Sequence, residues 1–311
     1  MKFEFKVIKQ ANFYFLLHNL SRCEWPWPYR LPYNAFWKKE IGRFSKKESK
    51  ALKEFHSIYK KYFLKKYIGK PFFLERDPWK KMKTYLSSKD ANSLKKIFDI
   101  WGKKFDTIWR KDSINLRNWK KALEKESNLP KRKIAFEKIE KILSYLYNAP
   151  SPKLIKVFLM INKKPQTNRV DDGIGGERGR GLEGSKIILV EISRCPLSPQ
   201  KINYAFGVIF HEIIHCYFGK VHLLSLIKRE LKDKSKIWKI EEIINRSFFP
   251  LGILGKRFFN MQIPNTLSRG SIKNITPAQT RKILNLSEEY ILRKNKIDRE
   301  YIRTMKEILK L

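Results

Sequence analysis

Phe3, Phe5 and Val7 alternate with charged or polar residues, and this period of two predicts a short opening strand. From there to residue 150 the apolar positions mostly recur at helical spacing. Ser45-Lys-Lys-Glu48 has the side chains of a capping box, which predicts a helix running to about Tyr67. Leu94, Ile97, Trp101, Phe105 and Ile108 mark a second helix from about Asp90 to Arg110. A third is expected from about Lys131 to Tyr147. Residues 22–37 read as a loop, because Pro26, Pro28 and Pro32 prevent regular helix. Its many aromatic side chains are expected to pack on a neighbouring core rather than stack on bases.

The pattern changes after Asn148-Ala-Pro-Ser-Pro152, which is the best candidate boundary. Residues 154–161 and 186–193 are apolar, β-branched runs of strand length. Between them lie Gly173, Gly175, Gly176, Gly179, Gly181 and Gly184. This is not a phosphate loop, since no Gly-Lys-Ser/Thr closes it and a strand, not a helix, follows. A hairpin connection or lid is expected instead. Ser198-Pro199 opens another helix. Apolar on every side from Tyr204 to Phe218, it should be buried. Thr276-Pro-Ala-Gln279 starts a further helix, and residues 297–311 look helical. The expected class is α+β: a mainly helical region (1–150), a core with a small mixed sheet and one key helix (151–260), and C-terminal helices packing on it (261–311).

Composition narrows the function classes. With 42% hydrophobic residues among 311, the chain can bury a core and is not a disordered basic tail. Three cysteines make no disulfide framework, and no apolar run reaches the roughly 18–20 residues that span a bilayer. The N-terminus lacks the features of a signal peptide, so a soluble protein of a reducing, cytoplasmic compartment is expected. The net charge is +38, from 49 Lys and 19 Arg against 30 acidic residues. It is spread evenly, +22 over residues 1–150 and +16 over 151–311. That reads as a compositional bias more than a binding stripe, although non-specific nucleic acid or another polyanion is the partner such charge would attract.

One constellation carries chemistry. His211-Glu212-Ile213-Ile214-His215 stands inside the apolar helix. Histidines four residues apart share a helix face, about 6 Å apart, and can ligate one zinc ion. Buried without a partner they would be costly, and a metal supplies one. The motif resembles the signature of the zincin metallopeptidases, over the helix and the strand before it. The resemblance implies zinc as cofactor, a peptide or protein substrate, and Glu212 as the general base acting on a metal-bound water. It also places residues 186–193 as an edge strand that pairs with substrate.

A catalytic zinc takes a third protein ligand. Gly219-Lys-Val-His222 is similar to the metzincin continuation, but Gly219 and His222 fall one position late. The gluzincin branch uses a glutamate from a later helix, and Glu241 and Glu242 are available there. Ile237, Ile240, Ile244 and Phe248 define an apolar face that includes Glu241. With Glu241 as ligand, Asn245 one turn on would bond a ligand histidine. The residue pattern around gluzincin ligands favours Glu242 instead; the face argument tips the choice slightly to Glu241. Cys216 is expected to be packing, Asp171 and Asp172 to be solvated, and Tyr217 or His222 to be near enough in sequence to assist as an electrophile. The reading is a zinc metallopeptidase. The alternative is a nucleic-acid-associated binding protein with a structural or vestigial metal site, and a hydrolase of non-peptide bonds would use the same ligands.

Overall fold

The structure is a computed structural model, and it describes residues 1–21, 33–63, 68–162, 171–172, 187–268 and 274–311. The alternating start forms β1 (Lys2–Lys6). Next comes α1 (Lys9–Leu20), which the sequence pattern does not announce. Asn12 and Tyr14 to Leu20 are all buried, so α1 has no polar face to give it a period. Of its buried polar residues, Asn12 ties the helix to β2: its side chain accepts from the Ile161 amide (2.7 Å) and donates to the Leu159 carbonyl (3.2 Å).

Helix α2 (Tyr33–Ile41) includes Trp37, fully buried, so the last residues of the expected loop 22–37 are helical; residues 22–32 lie outside the described residues. The capping box opens α3 (Lys46–Phe63), with both reciprocal bonds formed between Ser45 and Glu48. Short α4 (Lys70–Leu74) and α5 (Pro78–Tyr85) lead to α6 (Ser88–Asn128). This helix runs well past Arg110, because Leu116, Trp119 and Leu123 prolong its buried stripe. Helix α7 (Pro130–Leu146) follows.

The sheet comprises β1, β2 (Leu154–Met160), β3 (Asp171–Asp172) and β4 (Ile187–Glu191), in the order β1-β2-β4-β3. β2 and β4 are parallel, with Lys156 opposite Ile187 and Met160 opposite Glu191. β3 is antiparallel to β4. The strand expected at an edge is therefore interior. β4 is buried at every position and already pairs with β3 at Val190 and Glu191, so a peptide could not pair with it at those two residues. The glycine-rich stretch 173–186 lies outside the described residues.

Helix α8 (Pro199–Ile213) is capped by Ser198, whose side chain accepts from the Lys201 amide. It passes into a π-helical segment, Ile214–Leu223, and then α9 (Leu224–Glu230). After these come α10 (Lys234–Phe248), α11 (Ile253–Phe259), α12 (Pro277–Leu292) and α13 (Arg299–Leu309). Mostly helical with one small mixed sheet, the chain is α+β. No described helix is long and apolar enough to cross a membrane.

Residues cluster into two compact units, neither continuous in sequence. The first holds Met1–Phe3, Lys125–Ile155 and Ser198–Leu311; the second holds Glu4–Glu124 and Lys156–Leu197. The boundary expected at 148–152 falls inside the first. That unit's aromatic core brings Phe136 of α7 against Phe206 and Phe210 of α8, with Phe259 of α11 stacked on Phe206.

Candidate metal centre

Phe206 and Phe210 turn one face of α8 into the core, and the next face carries His211 and Glu212, 3% and 1% exposed. Gly207 makes the ring of His211 addressable. A Cβ there would stand 3.0 Å from the Pro250 side chain, so glycine eases the close approach of the segment after α10 to α8. The Phe249 carbonyl, in that segment, accepts from His211 Nδ1 at 2.9 Å.

His215 sits where α8 widens into the π-helical segment, a departure from regular helix that is common at functional sites. Gly219 permits the wide turn, since a Cβ there would be 3.1 Å from the Ile214 carbonyl oxygen. The ring of His215 is held from α10. Its Nδ1 donates to Glu241 Oε1 at 3.1 Å. The Asn245 amide nitrogen lies 3.0 Å from Nδ1 and 3.3 Å from Nε2. Asn245 in turn accepts at Oδ1 from the Tyr147 hydroxyl (3.1 Å), whose pKa burial pushes well up, so it stays a donor.

The Phe249 carbonyl on His211 Nδ1 and the Glu241 carboxylate on His215 Nδ1 are the acceptors that suit the tautomer with a lone pair on each Nε2, the one that can ligate a metal. The two Nε2 atoms stand 3.2 Å apart. Glu242 completes the group, with Oε2 3.0 Å from His215 Nε2 and Oε1 3.6 Å from His211 Nε2. One ligand atom from each of His211, His215 and Glu242 lies within 4.8 Å of the others. Two imidazoles and a carboxylate thus converge on one point, where they could hold a metal ion. A tetrahedral zinc with bonds of about 2.0–2.1 Å spaces its ligand atoms about 3.3 Å apart, close to the 3.2 Å between the two Nε2 atoms and the 3.0 Å from His215 Nε2 to Glu242 Oε2. The donor set, two imidazoles and one carboxylate, fits zinc. Arg246 binds Glu242 Oε1 through Nε at 2.9 Å, which leaves Oε2 as the atom presented to an ion.

The structure thus separates the two glutamates. Glu242 is the converging carboxylate and Glu241 orients a histidine, the reverse of the preference drawn from the apolar face. That face does not discriminate because α10 is buried on nearly every side toward its end: Ile240, Ile243, Ile244, Asn245, Ser247 and Phe248 are all at 0% exposure. The Asn245 amide does lie against the His215 ring. His222 does not join the group; its Nε2 donates to the Ile297 carbonyl at 2.9 Å. Cys216 is likewise outside it. Burial raises the pKa of the Tyr217 hydroxyl, so it remains protonated. Asp171 and Asp172 are placed in β3 by their backbone pairing with Glu191 and Val190. The sequence reading missed Arg246, Tyr147 and the Phe249 carbonyl. Arg246 had a signal, its spacing of four residues from Glu242; the other two depend on tertiary approach.

Compared with known proteins, the chain matches no family model, no curated protein and no solved structure.

Proposed function

We propose that this chain is a zinc-dependent metallopeptidase of gluzincin-like design, with His211, His215 and Glu242 as the metal ligands. The observation that carries the reading is the convergence of two imidazole Nε2 atoms and one carboxylate in a largely buried space. When bound there, zinc supplies Lewis acidity toward a carbonyl and lowers the pKa of water. The protein does the rest. Phe249 and Glu241 fix the tautomers that aim both Nε2 atoms inward, and Arg246 holds the second oxygen of Glu242. Glu212, adjacent to His211 and buried, takes a proton from the attacking water and passes it to the leaving amine.

A purely structural zinc accounts for less. Such sites are usually closed by cysteines, and a glutamate between the two histidines has no task in them. Metal analysis of the wild type beside His215→Ala and Glu212→Gln, with a broad peptide-cleavage screen, tests the proposal. The expected result is one zinc per wild-type chain, zinc without cleavage in Glu212→Gln, and neither in His215→Ala. No zinc in the wild type would overturn the site. Cleavage undiminished in Glu212→Gln would remove the general base, and zinc with no cleavage of any peptide would overturn the peptidase.

A further inference from the structure

Far along the chain from the metal ligands, the second unit carries a groove of 920 Å³ lined by α1, α5 and α6. Its wall is an unbroken aromatic series. Trp79 meets Phe98 at 5.0 Å between ring centroids, Phe98 meets Phe13 at 4.5 Å, Phe13 stacks on Phe105 at 4.2 Å, and Phe105 meets Trp109 at 5.8 Å. Phe98 and Phe105 are buried and form the base of the series. Phe13, Trp79 and Trp109 are only half-buried and keep ring surface toward solvent. Lys9, Lys95, Lys103 and Arg110 line the groove, with Asp99 and Asp106 as its acids. Asp106 is already paired with Lys9 at 2.8 Å, and the lining as a whole is net positive.

Gly102 is the second observation. It lies in the middle of α6 and lines the groove, and a Cβ built on it meets nothing within 4 Å. Glycine weakens a helix relative to alanine, so packing gives no reason for it here. A large side chain there would project into the groove on the face that carries Phe98 and Phe105.

We propose that this groove binds single-stranded nucleic acid. Unpaired bases have two free π-faces that stack on Trp79, Trp109 and Phe13, while the backbone phosphates run along the cationic rim. The stretch of α6 from Lys95 to Arg110 is about 22 Å long at 1.5 Å per residue, room for several nucleotides. Lysine-dominated rims favour phosphate contact without base reading, so little sequence preference is expected. A duplex, whose bases are already stacked on one another, cannot use the aromatic wall.

The test is fluorescence anisotropy of a labelled sixteen-residue oligo(dT), alone and annealed to its complement, at several salt concentrations. Chelator in all samples removes any dependence on the metal centre, so this outcome and that of the peptidase proposal are separate. The single strand should bind at least tenfold more tightly than the duplex. Gly102→Leu fills the groove and strengthens α6, so it should weaken binding tenfold or more with an unchanged or higher Tm. Trp109→Ala should weaken it by about tenfold, within the range for loss of one stacking platform. The exposed pair Lys95→Glu and Lys103→Glu should flatten the salt dependence. Absence of binding, equal affinity for duplex, or wild-type affinity in Gly102→Leu would each overturn the proposal. Competition by free thymidine monophosphate at equal nucleotide concentration would also overturn it, because a monomer site would then suffice.

Discussion

In the second unit Asp112 is sealed from water, 1% exposed, and Arg194 Nε stands 2.5 Å from its Oδ1. Arg194 also reaches Glu40 at 2.6 Å. In the first unit His211 and Glu242 are about as deeply buried and His215 is partly buried, and no cation stands among the atoms that face one another, two imidazole Nε2 atoms and a carboxylate oxygen. Similar burial therefore has two different outcomes. The Arg194 cluster contains its own cation and ties the Ser193–Arg194 turn to α6 and α2. The histidine cluster has its arginine on one oxygen of Glu242, and under the proposed reading a metal ion supplies the charge at the centre. Burial of polar residues alone does not mark a site; the direction in which their lone pairs point does.

If that distinction is right, removing one member should have different consequences in the two clusters. His215→Ala should have the largest effect. Loss of a ligand should weaken zinc by well over a hundredfold, beyond the range seen when only a supporting residue is lost. Because the variant also removes one of the clashing lone pairs, the metal-free protein should keep its stability or gain some. Competitive zinc titration and thermal melts in chelator measure both. A large loss of metal-free stability would mean that the histidines are a structural network after all.

Arg194→Met makes the opposite cut, and zinc affinity should not change. It leaves Asp112 buried without its cation, which costs about 3–5 kcal/mol where the carboxyl is ionised. Burial pushes Asp112 up to about 6 from an ordinary 3.8, despite the pull of Arg194. The native state thus binds more protons than the unfolded chain between those values. Stability from this group falls as pH rises from about 4 to about 6. The cost of Arg194→Met should accordingly be largest above pH 7 and shrink toward pH 4, where Asp112 is neutral. Chemical denaturation at a series of pH values reads this directly, and a pH-independent cost would refute the account.

These two clusters also differ in how much of them the sequence reveals. His211, Glu212 and His215 are local: their spacing on an apolar helix, with Ser198 and Pro199 at its start, is enough to place them. The choice between Glu241 and Glu242 is not local, because α10 is buried on both sides and its face cannot be read from period. The Asp112–Arg194 pair joins α6 to the turn after β4, and no pattern connects residues so far apart. Helix α1 was hidden for a related reason, since a segment buried on nearly every side from Tyr14 to Leu20 has little amphipathic signature. The short parallel pairing of β2 with β4 fixes β4 inside the sheet, which strand propensity alone does not determine.

Glu241 gives an intermediate effect. It bonds His215 Nδ1, so Glu241→Ala should weaken zinc by about 10–100-fold with little change in metal-free stability. Glu241→Gln, which keeps an acceptor but not the charge, should restore part of the loss. Equal defects in the two variants would show that the carboxylate acts through charge and not through the tautomer. Wild-type affinity in both would return Glu241 to the status of a solvated helix charge.

Glu40 should show the smallest effect, and it tests whether the Arg194 cluster is as self-contained as it looks. Its side chain is 18% exposed, and it shares Arg194 with Asp112 while Lys111 stands 3.9 Å away. A partly solvated pair of this kind is worth up to about 1 kcal/mol, so Glu40→Gln should cost no more than that. Its more telling effect is on Asp112. The negative charge of Glu40 helps hold the Asp112 carboxyl up, and it also competes for the same guanidinium. Removing it should lower the Asp112 midpoint from about 6 toward the ordinary value, which carboxyl-carbon NMR across pH 3–8 would follow. A midpoint that stays fixed would mean burial alone sets it; a midpoint that rises would mean Glu40, not Asp112, is the principal partner that keeps Arg194 in place.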